Sequence, residues 1–267
     1  MIRTTRRTIL ALLAALLTVG LSPALAWAAP PDPSSPAFGA YVMSKLDDQY
    51  RGEKSHAKMA MEIKTEHWTR KLTMEAWSLG QDYSLVRILK PRKEKGTATL
   101  KAKKDLFTYL NKTGRTIKIS SGMMGGSWMG SHFTNDDLIR HSRLARDYHI
   151  KTTFNGTKGG VGVYDFTLTP KPDAPVVWGK LVITIRAADL EPLRQVFYDE
   201  DGAPVRELVF SDHKKIDDRV VPLKMVMRPL DSSGHPGTEY TRITYQSLDF
   251  GVKLKKSFFS LQKLKSL

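Results

Sequence analysis

Past Gly52 the chain alternates. Lys58, Glu62, Lys64 and Glu66 stand out of step with Met59, Met61 and Ile63, the two-residue period of a half-buried antiparallel strand. Similar runs follow at about 70–79, 82–90, 97–102, 105–110 and 115–119. A second series lies at about 148–154, 162–169, 176–186, 192–199, 204–212, 219–228 and 238–248. Turn chemistry separates them: Leu79-Gly80-Gln81-Asp82, Asn111-Lys112-Thr113-Gly114, Asp199-Glu200-Asp201-Gly202 and Asp231-Ser232-Ser233-Gly234. Asp201-Gly202 between two alternating runs is a strong hairpin signal. About a dozen meandering strands in one domain demand a large curved sheet or barrel. No βαβ unit and no internal repeat interrupts them.

Two stretches depart from this period. Residues 37–50 carry Tyr41, Val42, Lys45, Leu46 and Gln49 at helical spacing and stop at Gly52, which predicts one helix. Midway through the strands, Ser121 to Phe133 reads Ser-Gly-Met-Met-Gly-Gly-Ser-Trp-Met-Gly-Ser-His-Phe. Its glycines make it conformationally permissive, and its large side chains are soft or flat: Met123, Met124, Trp128, Met129 and Phe133. Thr134 or Asn135 is a good N-cap for a short helix, with Asp136 and Asp137 at its positive end. Laid across the mouth of a curved sheet, this segment would form a lid over an acyl-chain cavity; packed inward, it would be a permanent plug.

The N-terminus changes the picture of where the chain works. Arg3, Arg6 and Arg7 precede an apolar run from Ile9 to Leu21, then Pro23 and small-x-small sites at Ala24-Leu25-Ala26 and Ala26-Trp27-Ala28. Residues 1–28 therefore read as a secretory signal peptide, because a dozen apolar residues fall short of the roughly 20 that span a bilayer. Thr5-Arg6-Arg7-Thr8-Ile9-Leu10 also matches a twin-arginine export signal loosely, so the export route stays open. Residues 29–36 form a Pro-rich leader, and 37–267 a single domain. No later run approaches 18 apolar residues, so the mature protein is not expected to be integral to a membrane.

Composition narrows the chemistry. The 267 residues contain no cysteine, which excludes disulfides, Cys-ligated metals, thiol nucleophiles and a lipid-modified N-terminal cysteine. Of the formal net charge of +15, three positive charges belong to the signal, leaving about +12 on the mature chain. An exported protein rarely meets nucleic acid, so anionic lipid head groups or acidic envelope polymers are the expected counterparts of any functional basic surface. Lysines on exposed sheet faces also serve solubility and edge protection. Arg92-Lys93, Lys101-Lys103-Lys104, Lys214-Lys215 and Lys253-Lys255-Lys256 are dispersed rather than gathered in one motif.

No catalytic constellation stands out. HExxH, GxSxG, phosphate-binding and dinucleotide fingerprints are missing from the sequence. His132, Asp136, Asp137, His141 and His149 are the nearest approach to a metal set, but the aspartates suit a helix's first turn and His141 a polar helix face. Asp47-Asp48 and Asp217-Asp218 are adjacent pairs, poorly placed for paired-carboxylate hydrolysis. No catalytic residue, metal or cofactor is expected.

Gly126-Ser127-Trp128-Met129-Gly130-Ser131-His132-Phe133-Thr134-Asn135-Asp136-Asp137-Leu138 resembles the signature stretch of the outer-membrane lipoprotein-sorting (LolA-like) superfamily, in its larger periplasmic branch. Leu144-Ala145-Arg146-Asp147-Tyr148 and the C-terminal Phe258-Phe259-Ser260-Leu261 agree with it. The resemblance covers about residues 37–263. It implies an unclosed antiparallel β-barrel (a half-barrel) with a few capping helices, whose apolar cavity shelters lipid or lipoprotein acyl chains in the periplasm. It also implies partners in an inner-membrane transporter and an outer-membrane acceptor, and no chemistry. The founding carriers hold the lid with a strand arginine; the sequence assigns that part to neither Arg70 nor Arg87. On this reading Met123, Met124, Trp128, Met129 and Phe133 form the lid, and Met59, Met61, Ile63, Leu72 and Met74 the cavity wall. Two rivals remain: a docking accessory of an envelope transporter, and an enzyme acting on an acidic envelope polymer.

Overall fold

The computed structural model describes residues 30–140, 144–174 and 176–266. The expected signal peptide, 1–28, lies outside the described residues. Thirteen strands, counted among the described residues, form a single antiparallel sheet. The first six are β1 (Lys54–Lys64), β2 (Thr69–Leu79), β3 (Tyr83–Lys90), β4 (Ala98–Ala102), β5 (Asp105–Leu110) and β6 (Arg115–Lys118). After an intervening segment come β7 (Tyr148–Lys158), β8 (Val161–Pro170), β9 (Lys180–Arg186), β10 (Pro192–Tyr198), β11 (Pro204–Ile216), β12 (Arg219–Pro229) and β13 (Tyr240–Asp249). Four α-helices among the described residues accompany them: α1 (Pro36–Arg51), α2 (Asn135–Arg140), α3 (Leu144–Asp147) and α4 (Leu261–Ser266).

The strand order is β6-β5-β4-β3-β2-β1-β13-β12-β11-β10-β9-β8-β7. Each half is a meander, and the first strand of one half pairs with the last strand of the other through β1 and β13. The sheet is not closed: β6 and β7 are its two edges. It is nevertheless strongly curled. Val86 on β3 and Ile183 on β9 line one cavity although seven strand spacings separate them, about 34 Å on a flat sheet. The unclosed, mainly β architecture expected from the sequence is therefore the one observed.

The alternation in β1 buries Ala57, Met59, Met61 and Ile63, and β2 adds Leu72 and Met74 to the same face. Glu66, read above as a strand residue, lies in the β1–β2 turn, where Thr65 N donates to the Trp68 carbonyl. The run expected from 176 begins as a strand only at Lys180. Gly179 sits against the Asp199 backbone, where a Cβ would fall 2.2 Å from the carbonyl oxygen. Helix α1 buries Phe38, Val42, Met43 and Leu46 against the concave face, while Lys45, placed on the apolar stripe by its spacing, is exposed. The helix comes close to β7: a Cβ at Gly39 would lie 2.5 Å from Ile150 Cγ2. Phe38 packs edge-on to Tyr164 at 5.0 Å. A smaller cluster joins Leu85, Ala98 and Leu100 to Phe259 and Leu264 of the C-terminal segment.

Candidate functional site

The connection between β6 and β7 has to run from one free edge of the sheet to the other, and its described residues are 119–140 and 144–147. Local chemistry fixes its path. Thr134 and Asp137 form a reciprocal cap: Thr134 N donates to Asp137 Oδ2 at 2.7 Å, and Asp137 N to Thr134 Oγ1 at 3.3 Å. This settles the start of α2 at the first of the two expected caps. Before it, residues 127–134 turn back on themselves, with Trp128 N donating to the Phe133 carbonyl at 2.8 Å. Met129 (φ 53°) and Gly130 (φ 69°) take left-handed backbone at that turn.

The folded-back segment drives Trp128 and Phe133 into the main core. Under it lies an apolar cavity of about 250 Å³. Its walls come from Ala57, Met59, Ala76 and Val86 on one side and Ile183, Leu208, Phe210 and Ile243 on the other, with Leu46 of α1, Leu138 and Leu144 completing it. Gln195, Asp137 and a few serines supply the polar lining.

Polar fasteners hold the segment to four strands. Arg70 Nη1 of β2 donates to the Met129 carbonyl at 2.7 Å, while its other guanidinium nitrogens grip Glu94. Arg206 of β11 donates to the His132 carbonyl at 2.9 Å and to Asp137 Oδ1 at 2.7 Å. Its guanidinium lies between the rings of Trp178 and Phe197, 4.4 and 4.3 Å from their centroids. Trp128 Nε1 donates to Thr99 Oγ1 of β4 at 3.1 Å. His132 N donates to Thr241 Oγ1 of β13 at 3.0 Å, and His132 Nδ1 lies 2.9 Å from the same oxygen. Burial, outweighing the pull of Glu239, holds the His132 imidazole below its ordinary value, so it is neutral at pH 7.

The ten candidate residues separate by position. Met59, Trp128 and Phe133 line the cavity; Met61, Ile63, Leu72 and Met74 are buried in the core that surrounds it. Met129 is half-buried against that core, Met124 packs beside Leu106 and Ile119, and Met123 projects into solvent. Among the described residues no group of three or more His, Asp or Glu side chains is spaced to hold a metal. No described helix is long and apolar enough to cross a membrane.

Residues 80–266 match the model of a family described as "Uncharacterized protein". A domain from Vibrio parahaemolyticus, named for outer-membrane lipoprotein sorting, superposes with a TM-score of 0.76 at 25% identity, over 86% of this chain and 100% of that one. The chain belongs to the family of that model, and its fold is that of the lipoprotein-sorting, LolA-like proteins. A DUF1329 family protein from Desulfovibrio piger has the same fold (TM-score 0.77, 22% identity, 88% of this chain and 100% of that one). So does a LolA superfamily protein from Nitrosomonas europaea (TM-score 0.70, 19% identity, 84% and 98%). The comparison with curated proteins gives no match.

Arg70 and Arg206 are both strand arginines bonded to the 127–137 segment, whereas the sequence alone places such an arginine on neither Arg70, Arg87 nor any other position. Arg87 instead pairs with Glu75, Nη2 to Oε2 at 2.7 Å. Arg206 and Thr241 carried no signal in the sequence. Thr241 sits on a strand that alternates normally and Arg206 begins a run of three buried residues, Arg206 to Leu208, and their partners lie 109 and 74 residues away.

Proposed function

We propose that this LolA-like protein is a periplasmic carrier that shelters the acyl chains of lipids or lipoproteins beneath the 127–137 segment. Residues 1–28 are removed on export, 29–36 form a leader, and the remainder is the carrier domain. It performs no catalysis; cargo arrives from an inner-membrane transporter and leaves to an outer-membrane acceptor. The names of the Vibrio and Nitrosomonas structures support this reading. The observation that carries it is the apolar cavity lying under a glycine-jointed segment that spans the unclosed sheet.

At about 250 Å³ the cavity is small beside the roughly 300–1,000 Å³ of ordinary ligand pockets, so cargo must displace part of its cover. The magnitudes permit it. Losing the Arg70–Met129 bond costs about 1.5–3 kcal/mol, and each buried methylene returns roughly 0.8 kcal/mol. Four methylenes therefore offset the latch.

Uptake of a fluorescent fatty-acyl probe, with native mass spectrometry of protein isolated from the envelope, tests the proposal. Ala76 lines the cavity, so Ala76→Leu should cut probe affinity about tenfold by displacing two or more methylenes, at unchanged melting temperature. Protein isolated without acyl cargo and showing no probe uptake would favour the docking accessory, with Trp128 and Phe133 as a fixed plug.

A further inference from the structure

Strand β3 stops at Lys90, opposite Thr73, so residues 69–72 of β2 have no strand beside them on that flank. Residues 91–97 fill the place, closed by Gly96 N donating to the Ile88 carbonyl at 2.9 Å and Ile88 N to the Thr97 carbonyl at 2.8 Å. This loop has two sides. Glu94 turns toward Arg70 and the lid segment, while Arg92, Lys93 and Lys95 are exposed. Beside it lies an open groove of about 1000 Å³ floored by Ala60, Thr73 and Thr244. Lys71, Lys90, Arg92, Lys95 and Arg242 line it, and the single acid in the lining is Glu62.

Glu62 is already engaged. Tyr240 Oη lies 2.5 Å and Arg242 Nη2 2.6 Å from its Oε1, and Lys71 Nζ 3.3 Å from its Oε2. These partners hold its carboxyl below the ordinary value, chiefly through the tyrosine, so it is ionised at neutral pH. Four lining cations in excess of it converge on one concavity. Three residues before Lys71, at the tip of the β1–β2 hairpin, Trp68 is 44% exposed.

We propose that this groove docks the protein on an anionic bilayer, with its lysines and arginines on lipid phosphates and Trp68 at the headgroup–acyl boundary. Cations attract either an acidic polypeptide or a lipid surface. The exposed indole at the hairpin tip, three residues before Lys71, favours the bilayer, because an amphipathic ring gains most at a boundary that is wet on one side and apolar on the other. Glu94 joins this surface to the lid fastener: a loop drawn toward phosphates loosens the grip of Glu94 on Arg70, and with it the bond to Met129. That coupling rests on the carrier reading; the docking site does not.

Vesicle flotation tests it. The protein should float with phosphatidylglycerol-containing vesicles and not with phosphatidylcholine alone. The doubly substituted Arg92→Ala/Lys95→Ala protein should bind about 30-fold more weakly, from a roughly fivefold effect per cation. A Lys214→Ala/Lys215→Ala control on β11 removes the same charge from exposed positions and should change binding by less than about threefold. Equal losses in both variants, or no binding to phosphatidylglycerol vesicles, would overturn the site. So would a preference for poly-glutamate, or binding confined to inorganic phosphate. Anionic vesicles should also speed release of a loaded acyl probe from the unsubstituted protein and not from Arg92→Ala/Lys95→Ala. Docking without faster release would overturn the coupling while leaving the docking site in place.

Discussion

Replacing each of the two arginines bonded to the 127–137 segment separates a latch from a structural pin. Arg70→Ala removes one charge-assisted hydrogen bond to the Met129 carbonyl. The abandoned Glu94 retains 17% side-chain exposure and can reach water, so the loss stays local at about 1.5–3 kcal/mol. Arg206→Ala differs, because both Arg206 and Asp137 keep only 6–7% side-chain exposure. An uncompensated buried carboxylate costs about 3–5 kcal/mol, or roughly 6–20 °C in melting temperature for a domain of this size. Hydrogen exchange reads the difference directly. The amides of Trp128, Ser131, Asn135 and Asp136 are bonded within the 123–136 segment and report its opening. In Arg70→Ala their protection should fall about 10- to 150-fold, while amides of Phe166 and Ile183 in the sheet hold theirs. In Arg206→Ala both sets should lose protection together. Uniform loss in Arg70→Ala, or an unchanged melting temperature in Arg206→Ala, would refute this division of labour.

Three further substitutions address single contacts. Trp128→Phe leaves Thr99, itself buried, without the indole donor, and should cost about 1–3 kcal/mol in urea denaturation. Gly179→Ala drives a Cβ against backbone atoms of Asp199 and Glu200 that cannot rotate away; a loss of about 3 kcal/mol is expected, and a neutral result would mean the β9–β10 pairing yields easily. Glu191 is fully buried, and neither carboxylate oxygen meets a hydrogen-bond partner among the described residues. Burial first and the charge of Asp189 second push it up to about 8 from an ordinary 4.5. The unfolded chain therefore releases this proton first, and stability falls as pH rises from about 4.5 to about 8, by at most ~1.4 kcal/mol per pH unit. Glu191→Gln should remove this slope from the urea midpoint plotted against pH.

Much of the fold was legible because its signal is local. Alternation at Met59, Met61 and Ile63 and the Asp201-Gly202 turn are written in consecutive residues, and the strands appear where these patterns place them. Boundaries slipped where a backbone contact, not a side-chain pattern, decides: Gly179 against Asp199 delays β9, and the Thr65–Trp68 turn ends β1 before Glu66. The unusual composition of 121–133 marked the segment over the cavity, yet its residues divide between cavity wall, half-buried packing and solvent. That division depends on the left-handed turn at Met129 and Gly130, which no hydrophobic count reveals. Arg70 and Arg206 were hidden for a related reason. A strand arginine reads as a surface residue until the partner from elsewhere in the chain is in place.

If the protein carries acyl chains as proposed, the fasteners also set how cargo length should appear in binding. Peeling 127–130 from the sheet breaks the Arg70 bond and the Trp128–Thr99 bond, about 2–4.5 kcal/mol together. That equals the burial of roughly three to six methylenes. Chains short enough for the existing 250 Å³ should gain about fourfold in affinity per methylene. Longer chains meet the opening cost, so a plot of log affinity against acyl length should rise, flatten over about three to six methylenes, and rise again. Arg70→Ala should shorten the flat step without changing either slope. A straight line throughout would show that cargo enters without moving the segment. A plateau with no second rise would make Trp128 and Phe133 a fixed plug, since nothing short of carrying the segment through Asp137, against the Arg206 and Thr241 bonds as well, would then enlarge the cavity.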